Sequence, residues 1–469
     1  MQLVPSDYFK KLPKEALFTE INKPLEIDLG CGDGSFLLAM ASQFPEKNFL
    51  GVERLLGRVR KVLRKSEKNS LSNLKVLRLE LSYTVEWLLP DQCASRIHLL
   101  FPDPWPKKKH HKRRMINQNF CEALVRILNK DGEYIVDING KIPRIPASNQ
   151  KILSSAFSLD NLGPNYILKT SLKEMSSGGL YFDASGDPDF DNRHLDELLR
   201  GLKSKEFNTG IKLPILISSS NKNTWWPPSW SYSDREEEYG APITKYSIAS
   251  NASTKALNNP IDNFINELNT SLVRNNLSSK YFIKPVYNDF SVDFASTIKS
   301  VNSAPLYILL NLVNSESHNY TAEVVFRHSL NNWSHDFPNV KYTKWLKDQN
   351  FDSDDFIFAD ASGLSRENRV TTYGLSQFLR RMQLSRYSDY YFSSFSILGV
   401  RGSLKNVKAP INLKGRILAK SGRLSNVRSI SGIILGKDKI FSIIVNNKEN
   451  STKNIINILS IVDNTNYCT

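Results

Sequence analysis

Three short constellations in this 469-residue chain carry the residue types that acyl transfer through a serine requires. Ser148-Asn149-Gln150-Lys151 sets a hydroxyl and an amine three positions apart. On a helix that spacing lays the Lys151 amine beside the Ser148 hydroxyl, and burial lowers the amine's proton affinity so that it can act as base. Ser317-His318-Asn319 supplies a second hydroxyl and an amide at the head of the helical run YTAEVVFRHSL. Lys420-Ser421-Gly422 follows the apolar strand GRILA; it offers a cation for a substrate carboxylate and an open backbone for strand-like pairing with a peptide. A lone S-x-x-K occurs by chance in many helices, whereas three such pieces in order, each in a fitting local context, seldom do.

A second chemistry is written earlier in the chain. PLEIDLGCGDGSF runs from a short strand, Leu25–Leu29, into Gly30, Gly32 and Gly34, and then into a helix from Ser35. Glycines there let the backbone turn sharply and approach a ligand at the helix N-terminus. The next strand, Asn48–Val52, ends in Glu53, spaced as where a carboxylate grips ribose hydroxyls. Farther on, LLFPDPWPKKKHHKRR ends a strand at Phe101, fixes Asp103 between two prolines, adds Trp105 as a stacking surface and follows with a basic run. Phosphate attraction, base stacking and a carboxylate at the C-terminal edge of an open α/β sheet point to RNA.

These residues need two separate scaffolds. At this length two or three domains are expected, and 40% hydrophobic with 23% charged residues is a globular composition. The net charge of +15 favours an anionic partner, nucleic acid or a membrane or wall surface. Residues 1–134 hold 23 Lys/Arg against 16 Asp/Glu, a surplus of 7 (23 − 16) that makes the basic surface denser there. Four cysteines show neither a C-x-x-C pair nor zinc spacing, and no metal site is expected. The stretch from Met1 has no apolar core of signal-peptide length, and no apolar run reaches the roughly 20 residues of a membrane span, so the chain reads as cytoplasmic with no membrane span. The aromatic stretch TWWPPSWSYSD is expected as a packed loop rather than a glycan platform, and Ser250–Asn259 and Asn446–Asn454 as loops.

From Leu25 to about Val136 the residues quoted above resemble the bacterial tRNA (guanine-N7)-methyltransferases. The resemblance implies S-adenosyl-L-methionine as cofactor and tRNA as partner. Glu26 or Asp28, Gly30, Gly32, Gly34, Glu53 and Glu80 would line the cofactor site, with Asp103 in the active site and Lys107 on the RNA. Family members continue beyond the strand corresponding to Glu133–Asp137, including a Thr-x-x-Glu segment that this chain lacks.

From about Ile138 to Gly436 the chain resembles the D-alanyl-D-alanine carboxypeptidase/endopeptidase penicillin-binding proteins, through the three motifs together with LGPNY, SGDPDF, EYGAPI and DASGLSRENRVTTYGL. That resemblance implies acylation of Ser148, Lys151 as base, Ser317 and Asn319 assisting proton transfer and placement, and Lys420 and Ser421, beside Gly422, holding the substrate carboxylate. The Ser148 backbone N–H would contribute to an oxyanion hole. Peptidoglycan stem peptides and β-lactams would be the ligands, and the periplasm the family's workplace. The expected fold class is α/β: residues 1–137 a C-terminally truncated Rossmann-like methyltransferase domain, then 138–469 an α/β, β-lactamase-like DD-peptidase domain with a large insertion at about 175–300. An internal deletion joining two neighbouring genes would account for such a fusion. One active half, with the other a non-catalytic tRNA- or cofactor-binding remnant, is the alternative.

Overall fold

The computed structural model describes residues 1–99, 118–128, 139–202, 211–219, 221–287, 293–333, 340–349, 351–436, 439–446 and 455–460. Asp103, Trp105, Lys107 and the strand expected at Glu133–Asp137 fall outside them. Two compact units form, one of Met1–Gly140 with Ile455–Thr469, the other of Lys141–Asn454. No helix among the described residues is long and apolar enough to cross a membrane, and none of their His, Cys, Asp and Glu side chains group as metal ligands.

The first unit is built on a parallel sheet of β1 (Gln2–Leu3), β2 (Leu25–Leu29), β3 (Asn48–Val52), β4 (Leu74–Leu77) and β5 (Arg96–His98) in the order β1-β4-β3-β2-β5. Every residue of β2 and β3 is buried, as a parallel sheet covered on both faces demands. The two faces carry separate apolar clusters, one around Ile27, Leu50, Val85 and Phe120, the other around Leu37, Phe49, Val59 and Val62. Gly34 shows why the turn after β2 needs glycine. Its φ is +76°, and a Cβ there would lie 2.6 Å from Val62 Cγ2, blocking the helix Ser35–Gln43 from the helix Leu56–Lys68.

The second unit contains two larger sheets. β6 (Ile167–Met175), β7 (Leu180–Asp183), β8 (Leu213–Ser219), β9 (Tyr281–Tyr287) and β10 (Phe294–Pro305) form a mixed sheet in the order β10-β6-β7-β8-β9. The helices Asn192–Arg200 and Pro260–Arg274 contribute Leu195, Leu198, Phe264 and Leu268 to its own apolar cluster. This sheet opens at Ile167, ahead of the expected insertion point. A short pair, β11 (Phe356–Ile357) and β12 (Arg369–Val370), brackets the DASGLSREN loop. Last comes the antiparallel sheet of β13 (Ser396–Ile397), β14 (Ile417–Leu424), β15 (Val427–Ile434) and β16 (Lys439–Asn446). The helices Gln150–Leu162 and Asn319–Leu330 join Ile433 and Ile444 of that sheet in one core with Phe157, Phe326 and Tyr342. The mixed α/β class expected from the sequence is the class observed.

Candidate active sites

In the larger unit a 3-10 turn, Ala147–Asn149, delivers Ser148 to the head of the helix Gln150–Leu162. The turn is pinned from several sides. Ser429 Oγ donates to Pro146 O at 2.6 Å, and Asn149 Nδ2 donates to Ser431 Oγ at 2.7 Å. The Asn446 side chain clamps Ile145 at both ends, accepting from its N–H at 2.8 Å and donating to its carbonyl at 3.1 Å. Gly422 permits the closest approach: a Cβ there would lie 2.9 Å from Ser148 N and 2.3 Å from Ser429 Oγ.

Lys151, one turn on, is 0% exposed. Its Nζ donates to Ser148 Oγ at 3.1 Å, Asn319 Oδ1 at 2.5 Å and the Ser362 carbonyl at 2.7 Å. Burial pulls this amine down to about 7, against the raising influence of Asp360 and then Glu323. Lys420 Nζ donates to Ser317 Oγ at 2.9 Å and to Ser421 O at 2.7 Å. Burial, and after it the Lys151 charge, pulls Lys420 well below the ordinary lysine range. Ser421 Oγ meets Ser403 Oγ at 2.6 Å, and Asn319 Nδ2 donates to Tyr239 O at 2.9 Å. The structure thus brings Ser148, Lys151, Ser317, Asn319, Lys420, Ser421 and Gly422 to one place. Lys420-Ser421-Gly422 lies on β14 itself, rather than after the strand as the sequence suggested; the strand continues because all three pair with β15. Ser317 is the residue before the helical run by two positions, with φ +65°.

Beneath these residues lie groups that the motifs do not name. Asp360, fully buried, accepts from Gly363 N, Ser365 N and Asn368 Nδ2 at 2.7 Å each, from Ser362 Oγ at 3.1 Å and from Trp230 Nε1 at 2.7 Å. Glu323 Oε1 accepts from the Ala361 and Ser362 amides, each at 2.9 Å. A sequence signal did exist: Glu323 stands four residues after Asn319, hence on the same helix face, an acid amid apolar neighbours.

In the first unit Gly30 and Gly32 take φ of +80° and +59° at the end of β2. Glu53 closes over that turn, accepting from Gly32 N at 3.2 Å and from Leu55 N at 2.8 Å. The two acids of β2 differ sharply. Glu26 meets Lys47 Nζ at 2.9 Å and His98 Nε2 at 2.7 Å. Burial raises its carboxyl, but the His98 and Lys47 hydrogen bonds prevail and hold it at about 2. Asp28, 2% exposed, receives no side-chain hydrogen bond among the described residues, and burial pushes it up to about 7. Glu80 caps the short turn Leu81–Tyr83, accepting from Tyr83 N at 2.8 Å.

Comparison with known proteins matches both parts. Residues 22–138 fit a putative methyltransferase family, and residues 112–271 and 286–465 fit the D-Ala-D-Ala carboxypeptidase 3 (S13) family. A tRNA (guanine-N(7)-)-methyltransferase of Leptospira interrogans is 38% identical over 135 residues, 28% of this chain and 62% of the relative. One of Staphylococcus haemolyticus is 32% identical over 201 residues, 43% of this chain and 82% of that protein. The chain thus spans about six-tenths of the first of these curated relatives. Penicillin binding protein 4 of Haemophilus influenzae shares the fold with a TM-score of 0.57 at 18% identity, covering 68% of this chain and 89% of that one. Its complex with a novel β-lactam gives 0.52 at 19% identity, covering 68% and 88%. Over the greater part of its length the chain belongs to the D-Ala-D-Ala carboxypeptidase 3 (S13) family, fused to a tRNA (guanine-N(7)-)-methyltransferase-like region.

Proposed function

We propose that the larger unit, with Ser148 as nucleophile, is a serine peptidase for peptides ending in D-Ala-D-Ala, and that β-lactams acylate the same hydroxyl. The supporting observation is the placement of Lys151: a fully buried amine, drawn to about 7, whose Nζ lies 3.1 Å from Ser148 Oγ. As Ser148 Oγ bonds to the peptide carbonyl carbon, its proton passes to Lys151 Nζ. The Ser148 N–H, close to the Gly422 backbone, would support the developing oxyanion. Ser317 Oγ accepts from Lys420, which leaves its own O–H to protonate the departing D-alanine amine as the C–N bond breaks, and the proton taken up by Lys151 then restores the Ser317 hydroxyl. Water then cleaves the ester and restores Ser148. An incoming carboxylate would offset the burial that pulls Lys420 down and favour the charged form of that amine. Labelling with fluorescent penicillin tests the reading. Covalent label on the intact chain, lost in Ser148→Ala, supports it; equal labelling of both overturns it.

For the first unit we propose a cofactor crevice for S-adenosyl-L-methionine, with tRNA as the partner. Asp28 is the observation that favours it, a buried carboxyl without a side-chain donor among the described residues, beside three glycine turns. The bound group would supply an activated methyl; Glu53 and Asp28 would hold its hydroxyl and amino groups, and the glycine turn would admit it closely. Methyl transfer to unmodified tRNA and cofactor binding by calorimetry separate a working enzyme from a binding remnant. A peptidase acting on wall peptides requires the periplasm and a tRNA enzyme requires the cytoplasm. Fractionation of cells that express the intact chain decides which setting applies.

A further inference from the structure

Glu323 is 0% exposed, lies on the helix that begins with Asn319, and its side chain makes no hydrogen bond to the side chains of the three motifs among the described residues. Its Oε1 receives two backbone amides, Ala361 and Ser362, at 2.9 Å each. Its Oε2 is buried without a hydrogen-bond partner among the described residues. A half-satisfied buried carboxylate is costly to a fold, and persists where it serves something besides stability. Its two amides belong to the loop whose carbonyls face the nucleophile helix. Ala361 O accepts from Ser154 Oγ at 2.6 Å, and Ser362 O accepts from Lys151 Nζ at 2.7 Å. The next residue, Gly363, runs so close to Ala147 that a Cβ there would lie 2.0 Å from the Ala147 carbonyl oxygen.

We propose that Glu323 is a positioning residue for the lysine base: by gripping the Ala361 and Ser362 amides it fixes the Ser362 carbonyl on Lys151 Nζ, and its carboxylate tunes that amine from behind the loop. The inference rests on the acyl-transfer reading of the larger unit. The charged groups around it are accounted for. Asp360, on the loop, is held by five donors and fixes the remainder of the turn. Arg327, one turn along the same helix, directs Nη1 to Thr224 O at 3.3 Å and Ile243 O at 3.2 Å. Lys151 faces Glu323 across the loop, and Lys420, beyond Lys151, faces Ser317. His318, drawn to about 4 by burial and then by Lys151, is neutral and meets Thr321 Oγ1 at 2.7 Å. Burial and then Asp360 push Glu323 up to about 7, and its negative charge in turn raises Lys151.

The test is the pH dependence of acylation by fluorescent penicillin in the full chain, for the wild type, Glu323→Gln and Glu323→Ala. Gln keeps an oxygen for both amides and removes only the charge. Its plateau rate is expected within about threefold of wild type, with the acid-side midpoint lowered by about one pH unit, the scale of one unit charge at this range. Ala also releases the loop and is expected to slow acylation at the plateau by about tenfold or more. An unchanged midpoint in Glu323→Gln overturns the electrostatic part whether or not Glu323→Ala folds, because a merely structural acid would leave the profile where it was. A wild-type plateau in Glu323→Ala overturns the positioning part. Failure of the wild type to label at all would instead sink the acyl-transfer reading.

Discussion

The two sites handle buried charge in opposite ways. In the first unit Glu26 is saturated by Lys47 and His98, while Asp28, two residues along the same strand, has no side-chain donor among the described residues. In the second unit Asp360 is saturated by five donors, while Glu323, behind the loop, is met on one oxygen only among the described residues. The amines of Lys151 and Lys420 make no ion pair among the described residues, and only neutral oxygens touch them. A saturated buried charge maintains a fold; one left short of its counter-charge has free energy to gain from a ligand or a proton. The molecule uses an undersatisfied acid in one crevice and undersatisfied amines in the other.

The largest break in that comparison is Lys151→Met. It removes the base and keeps the bulk, so acylation is expected to fall at least about a thousandfold while cofactor binding to the first unit is unchanged. For the wild type, acylation should rise with pH through about 7, where Lys151 loses its proton, and be lost below it. Gly363→Ala comes next. With φ +81° and the Ala147 carbonyl 2.0 Å from the new Cβ, it should cost about 3 kcal/mol, read as an earlier melting transition of the larger unit alone.

Glu26→Gln sharpens the other side. Losing charged hydrogen bonds to His98 and Lys47 should destabilise the first unit by about 2 kcal/mol. The folded carboxyl is held at about 2, below its usual 4.5, so its contribution is present above about 4.5 and is lost as pH falls from there towards 2. Acid melts of the Gln variant should lack that loss. Asp28→Asn, by contrast, should raise the melting transition of the first unit above about pH 4, since burial that pushes the carboxyl from 3.8 up to about 7 penalises the fold there, and should weaken cofactor binding. Asn446→Ala is the mildest, about 1 kcal/mol from the lost clamp on Ile145, with slower acylation because the chain leading to Ser148 is freed.

Much of this was legible in the sequence, for identifiable reasons. Leu25–Leu29 and Asn48–Val52 were readable as strands because short runs rich in apolar residues, one leading into the glycine turn and the other into Glu53, leave few alternatives. The residues of the three serine motifs were readable because each states its chemistry locally. The roles of Glu323 and Asp360 were harder to read: the spacing of Glu323 from Asn319 was a signal, but its Ser362 amide lies 39 positions away and the Trp230 indole that meets Asp360 lies 130 away. The division of labour between Glu26 and Asp28 was hidden similarly; it depends on which acid faces Lys47 and His98. The pairing of β6 with β10 was hard to read because it joins distant segments through polar residues such as Ser171 and Ser300, 129 positions apart, that carry little strand signal.

Ala147 and Ser317, one beside the nucleophile and the other across from it, both wind left-handed, with φ of +49° and +65°. Side chains resist that winding, and only the surrounding scaffold keeps them there. The hollow is therefore shaped when the unit folds rather than when a peptide arrives. A peptide or lactam meets a rigid die, and turnover should depend little on loop rearrangement and much on the fit of the incoming molecule.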